Sequence, residues 1–168
     1  WQPRLEAALR WIEDQVTGYD DRRVLAVEKK GAMTFEGVQV HGRADRIDRL
    51  EDGGLAIIDY KTGVAPTDTA VTTGMAPQLP LEAAIAAGDA GFAGIGPKQR
   101  IAELRYIRAA GGEPAGEERT IKSDDVATLA AAALSQLERL IAEFDDAETP
   151  YKALRRARFR YDYDDYAH

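Results

Sequence analysis

The sequence predicts an α/β fold: a mixed central sheet flanked by helices. Three observations carry this. Two runs with helical periodicity lie near the ends of the chain. Four strand-like runs sit between them, two joined by a strong hairpin turn. The regular strand–helix alternation and glycine fingerprint of a doubly wound nucleotide fold are missing.

The elements follow in order. Trp1, Leu5, Leu9, Ile12 and Val16 recur at helical spacing, which predicts an amphipathic helix over 1–17, with Gly18 as its stop. Val24 to Lys29 and Val38 to Leu50 read as strands. Lys30-Gly31 and Glu36-Gly37 are the turn signals between them. Glu51-Asp52-Gly53-Gly54 is a hairpin turn, and Leu55 to Lys61 is the next strand. Thr62 to Met75, with Gly63, Pro66 and Gly74, reads as a loop crossing.

Pro77 to Ala87 reads as a helix, because Pro80 is tolerated only in a first turn. Gly88 to Lys98 loops back, Ile101 to Ile107 is a strand, and Ala109 to Gly116 is a turn or β-excursion. Ser123-Asp124-Asp125 opens a helix reaching about Phe144. Its expected buried stripe is Val126, Leu129, Ala133, Leu137, Leu140 and Ile141.

At 168 residues the chain fits one domain over 1–168 with a real core. It opens at Trp1 directly in a helical pattern, and so reads as a piece of a longer polypeptide lacking its upstream part. No apolar run approaches the length that crosses a bilayer, and no membrane association is expected. The chain has no cysteine, which excludes disulfides, thiolate zinc sites and an iron–sulfur cluster within it. That usage fits a cytoplasmic protein. A net charge of −7 argues against bulk electrostatic capture of DNA, but carboxylates are what a metal site needs.

The chemistry concentrates between residues 42 and 78. On a strand, Asp59 and Lys61 project to one face. If Leu50 and Gly54 close a three-residue loop, Asp45 falls opposite Asp59, with about 5 Å between Cβ atoms. Like charges so placed destabilise a sheet unless a cation lies between them. An Asp-x-Lys triplet at a strand end ordinarily makes a surface ion pair. The constellation points further, because Mg²⁺ takes hard oxygen ligands and often needs only one or two carboxylates. Asp45 and Asp59 are the expected metal ligands, with the backbone carbonyl of Tyr60 as a third oxygen. Lys61 would orient or help deprotonate the attacking water and offset phosphate charge. Gln78, at the start of the crossing helix, would hydrogen-bond the water or Lys61. The basic residues Arg155, Arg156 and Arg158, within a run from Lys152 to Arg160, are candidates for phosphate contact.

Three ordered segments carry a family resemblance: Gly42-Arg43-Ala44-Asp45-Arg46-Ile47-Asp48, Ile57-Ile58-Asp59-Tyr60-Lys61-Thr62-Gly63, and Gln78-Leu79-Pro80-Leu81. Together they resemble the RecB-type PD-(D/E)XK nucleases, most closely the C-terminal nuclease domains of the alphaproteobacterial AddB group. The tail Tyr161-Asp162-Tyr163-Asp164-Asp165-Tyr166-Ala167-His168 is similar to that group's C-terminus.

The resemblance implies a restriction-endonuclease-like fold and Mg²⁺-dependent cleavage (Mn²⁺ substituting) of single DNA strands from unwound duplex, in double-strand-break repair and recombination. It also implies an AddA-type helicase–nuclease partner. By the same match Asp45 and Asp59 are metal ligands, Lys61 the catalytic lysine and Gln78 the motif glutamine, while Asp48 is structural and paired with an arginine. Alternatives are a stand-alone RecB- or Cas4-like exonuclease, and an inactive nuclease-fold module that clamps DNA or a partner.

The chain departs from the family in three ways. The usual upstream histidine ligand has no counterpart: the only histidines are His41, read as structural or surface, and His168. That ligand is expected before Trp1, with weaker metal binding by this piece alone. The cysteines of many AddB proteins are absent. Glu82 stands where the family often has tyrosine.

Overall fold

The computed structural model describes residues 2–17, 21–121 and 125–150, apart from the side chains of Val16 and Thr17. Helix α1 (Gln2–Thr17) leads into β1 (Arg22–Phe35), β2 (Val38–Leu50) and β3 (Leu55–Lys61). A one-turn helix α2 (Asp68–Thr72) and helix α3 (Gln78–Ala87) follow. Strands β4 (Ile101–Ala109) and β5 (Gly116–Thr120) and helix α4 (Val126–Asp145) complete the order. The sheet is β1-β2-β3-β4-β5, antiparallel except for the parallel pair β3 and β4, which the α2–α3 crossover connects. This is the expected mixed sheet with flanking helices.

The hairpin forms as the turn residues dictate. Leu50 N–H donates to Gly54 O at 2.9 Å, Gly53 N–H to Leu50 O at 3.0 Å, and Gly53 takes φ 79°. A left-handed residue in that position is the usual glycine of a three-residue loop. The resulting register pairs Arg46 with Ile58, Ile47 with Ile57 and Asp48 with Ala56. That is the register expected from the loop, and it ends one step short of Asp45.

Strand β3 is buried from Leu55 to Asp59, covered on both sides. One side faces α3 and α4: Leu55 and Ile57 join Leu104, Tyr106, Leu79, Ala83, Ile85 and Leu129 in one apolar cluster. The other side carries buried charges. Arg46 holds Asp48 through two bonds of 2.7 Å and reaches the Tyr60 hydroxyl at 3.3 Å. Burial opposes the charge on Arg46, but the bonds to Asp48 and Tyr60 outweigh it and stabilise the guanidinium. The expected arginine partner of Asp48 is thus Arg46. Farther along, Arg22 and Arg105 share Glu103, and Arg105 also pairs with Glu118.

Several expectations need correction. Lys30-Gly31 is not a turn, because β1 runs through it and Gly31 pairs with Gly42. A Cβ on Gly31 would lie 2.7 Å from Ile85 and Phe92, so this glycine serves close packing rather than reversal. The 62–75 crossing contains α2, capped by the Thr67 hydroxyl accepting from Ala70 N–H at 3.1 Å. Residues 116–120 form the edge strand β5, which charged Glu117, Glu118 and Arg119 disguised in the sequence.

Helix α4 starts at an Asp125 cap accepting from Ala127 N–H at 2.8 Å. Its stripe is buried only at Val126, Leu129 and Ala133; Leu140 is 43% exposed. In α1, Leu5 and Leu9 are exposed and, among the described side chains, only Ala8 is buried, while Trp11 covers Gly116. Gly18, Ser123, Asp124 and everything from 151 onward, including Arg155, Arg156 and Arg158, lie outside the described residues, as does Trp1.

Candidate active site

Asp45, Asp59, Lys61 and Gln78 come together at the end of β3, where the β2–β3 ladder stops and α3 begins. Along β2 the core residues pass from Val40 and Ala44 to Ile47, a change of parity that a regular strand does not make. Asp45 sits at that change. Its Oδ2 accepts the Tyr60 N–H at 2.9 Å, so the carboxylate bonds β3 beyond the last ladder pair.

Asp59 is the centre of the cluster and is 2% exposed. Its Oδ1 accepts from Gln78 Nε2 at 2.6 Å. Its Oδ2 lies 2.8 Å from Lys61 Nζ. That contact is an ion pair without hydrogen-bond alignment, so Oδ2 has no hydrogen-bond donor among the described residues. Lys61 Nζ also donates to Gln78 Oε1 at 3.0 Å and stands 5.8 Å from the centre of the Tyr106 ring. Burial raises the Asp59 pKa; Lys61 opposes this, and the Asp45 charge adds to it.

Two further residues belong to the cluster. Tyr106 pairs with Asp59 in the parallel β3–β4 register, is buried, and has a hydroxyl with no partner among the described residues. Burial, with Asp59 and Glu82 nearby, holds its phenol well above the usual range. Sequence reasoning missed it, because only the register of β4 against β3 brings it here. Glu82, flagged in the sequence as a departure, is 4% exposed and accepts from Gln78 Nε2 at 3.2 Å. Burial pushes its pKa up to about 7; Gln78 opposes the shift, and the Asp59 and Asp45 charges add to it.

His41 is exposed on β2, four residues from Asp45.

The raised Glu82 pKa has a sign that can be checked. Its folded-state value lies above the ordinary 4.5, so the folded protein binds more protons than the unfolded chain between about pH 4.5 and 7. Stability contributed by the protonated acid is full below that range and lost as pH rises through about 7. Thermal melts of metal-free protein should therefore show wild type losing stability relative to Glu82→Gln across this window, by roughly 3 kcal/mol at most. A constant difference across the window would contradict the assignment.

The donor set suits a hard divalent cation. It offers carboxylate oxygens, one of them buried without a hydrogen bond, beside a lysine acting as counter-ion. Among the described residues no three His, Asp or Glu side chains are grouped as a metal cage. Two carboxylates meet the needs of Mg²⁺. Comparison with known proteins then decides the family. The model of the PD-(D/E)XK nuclease superfamily matches residues 1–158.

The chain belongs to the PD-(D/E)XK nuclease superfamily. The superfamily is one of nucleases, and the Asp59-Tyr60-Lys61 triplet has the Asp-x-Lys form of its name. Among curated proteins, uncharacterized protein RC0550 of Rickettsia conorii is 30% identical over 87 residues, covering 49% of this chain and 10% of its own length. Uncharacterized protein RT0391 of Rickettsia typhi is 38% identical over 87 residues with the same coverage. The chain thus aligns with about a tenth of the length of these relatives. Among solved structures, the crystal structure of SSO0001 is similar at a TM-score of 0.41 and 16% identity, covering 77% of this chain and 55% of that one. No helix among the described residues is long and apolar enough to cross a membrane.

Proposed function

We propose that this chain is a Mg²⁺-dependent deoxyribonuclease module, acting on single DNA strands within an AddAB-type helicase–nuclease of double-strand-break repair. The observation that carries the nuclease part is Asp59, a buried carboxylate with one unbonded oxygen, placed beside Asp45 and Lys61. The repair assignment rests on the three ordered segments and their resemblance to the AddB group. Curated relatives that extend far beyond the matched region are in keeping with a module of a larger enzyme.

In this reading Asp45, Asp59 and the Tyr60 carbonyl hold the ion. When bound, such an ion polarises a phosphoryl oxygen and makes water a stronger acid. The remaining work falls to side chains. Lys61 now neutralises Asp59 at 2.8 Å. Its ammonium is also placed to offset charge on a phosphate and would hold the attacking water. Gln78 links Lys61 to Asp59 through its two amide ends, which holds lysine and carboxylate in a fixed relation. Arg155, Arg156 and Arg158 are assigned to phosphate contact, and an AddA-type subunit to strand supply.

Calorimetric titration of Mn²⁺ tests the ion-binding assignment directly. Wild type should bind in the micromolar to millimolar range, and Asp45→Ala should weaken that binding about tenfold or more. Equal binding by the variant would remove Asp45 from the ligand set.

A further inference from the structure

We infer that Glu82 is a positioning residue of this nuclease site, fixing the Gln78 amide in the one orientation that turns its oxygen toward Lys61. The inference rests on the nuclease reading above and extends it to a residue outside the Asp45, Asp59, Lys61 and Gln78 set.

A primary amide has two N–H donors and one acceptor oxygen. The Gln78 nitrogen faces two carboxylates: Asp59 Oδ1 at 2.6 Å and Glu82 Oε1 at 3.2 Å. Both hydrogens are thus committed, and Oε1 is left for Lys61 Nζ at 3.0 Å. A flipped amide would set its oxygen against two carboxylates and its nitrogen against an ammonium. Asp59 alone would leave the second N–H without a fixed acceptor. Glu82 supplies it from one helical turn further along α3, where residues four apart share a face.

Packing reserves the place. Gly42, three residues before Asp45, lies under α3; a Cβ there would be 2.8 Å from Ile85 Cδ1 and 3.7 Å from Glu82 Cγ. The buried neighbours of Glu82 along α3 are Leu79, Pro80, Ala83, Ala84, Ile85 and Ala86. An apolar residue among them would be more stable than a carboxylate whose Oε2 has no partner among the described residues. A stability cost beside a reactive cluster is the pattern of a group kept for the site rather than for the fold.

Glu82→Met keeps the volume but removes the acceptor, whereas Glu82→Gln keeps an acceptor oxygen without the charge. The Met variant should melt at or above the wild-type temperature, yet lose about tenfold or more in kcat on single-stranded DNA, with KM nearly unchanged. The Gln variant should recover most of that loss. Independently of cleavage, the ¹⁵N–¹H signals of the Gln78 side-chain amide should show two bonded protons in wild type and in Glu82→Gln. In Glu82→Met one proton should move to the position of a free amide. Unchanged amide signals or unchanged kcat in Glu82→Met would overturn the inference. Should the full-length protein cleave no DNA, the nuclease reading fails, and the amide spectra still decide whether Glu82 orients Gln78.

Discussion

On the proposed reading Asp59→Ala should abolish Mg²⁺-dependent cleavage of single-stranded DNA, an expected loss of about a thousandfold or more, while the protein should melt no lower than wild type. The two halves of that result have one cause. Asp59 is 2% exposed, its pKa is raised mainly by burial, and one of its oxygens meets only the Lys61 ammonium, outside hydrogen-bond alignment. Such a group costs the fold free energy, so its removal should not unfold the protein. Its other contacts explain the loss of activity: Gln78 and Lys61 both take their positions from it. Truncation would leave a lysine without its counter-ion and an amide without its anchor. Asp45→Ala and Lys61→Ala should give losses of the same order. The measurement is a single-turnover rate with excess protein, set against thermal melting of each variant. Wild-type rates for Asp59→Ala would end the active-site assignment.

The second large effect falls on stability. Asp48→Ala should destabilise the protein by about 3–5 kcal/mol. Asp48 is fully buried and Arg46 is 5% exposed, joined by two bonds of 2.7 Å on the side of the sheet away from α3. Removing the carboxylate strands a buried guanidinium, which keeps a bond to the Tyr60 hydroxyl at 3.3 Å. A buried pair often contributes little compared with apolar replacement, because both charges lose hydration. The double variant Arg46→Met with Asp48→Leu should therefore recover most of the lost stability. Urea unfolding of the three variants separates these cases. A loss under about 1 kcal/mol for Asp48→Ala would show that the pair is not isolated from water.

These two aspartates are three and fourteen residues from Asp45 and look alike in a sequence. The fold separates them. Asp59 lies on the α3 side, its oxygens shared between Gln78 and Lys61, and Asp48 on the far side with both oxygens bonded to Arg46. The hairpin register that divides them was readable in advance, since a three-residue loop between Leu50 and Gly54 leaves no freedom in the pairing of Ile47 with Ile57. Local chemistry also made the bounds of β2 and β3 and the first-turn proline of α3 legible.

What the sequence by itself determined is therefore local. It set the hairpin turn, the Asp125 cap of α4, and the residue types able to bind a hard cation in the order Asp45, Asp59, Lys61, Gln78. Tertiary structure decided what depends on neighbours distant in the chain. Gly31 imitated a turn because tight packing under Ile85 and Phe92 demands the same residue as a reversal. Strand β5 escaped notice because pairing with β4, rather than apolar alternation, makes it a strand. The apolar stripe of α1 predicted burial, yet Leu5 and Leu9 are exposed, since periodicity specifies a face but not what covers it. Tyr106 and Glu82 joined the site only when the parallel strand β4 and the crossover helix α3 were brought against Asp59 and Gln78. Their burial raises the pKa of both, and burial is a property of the packed chain.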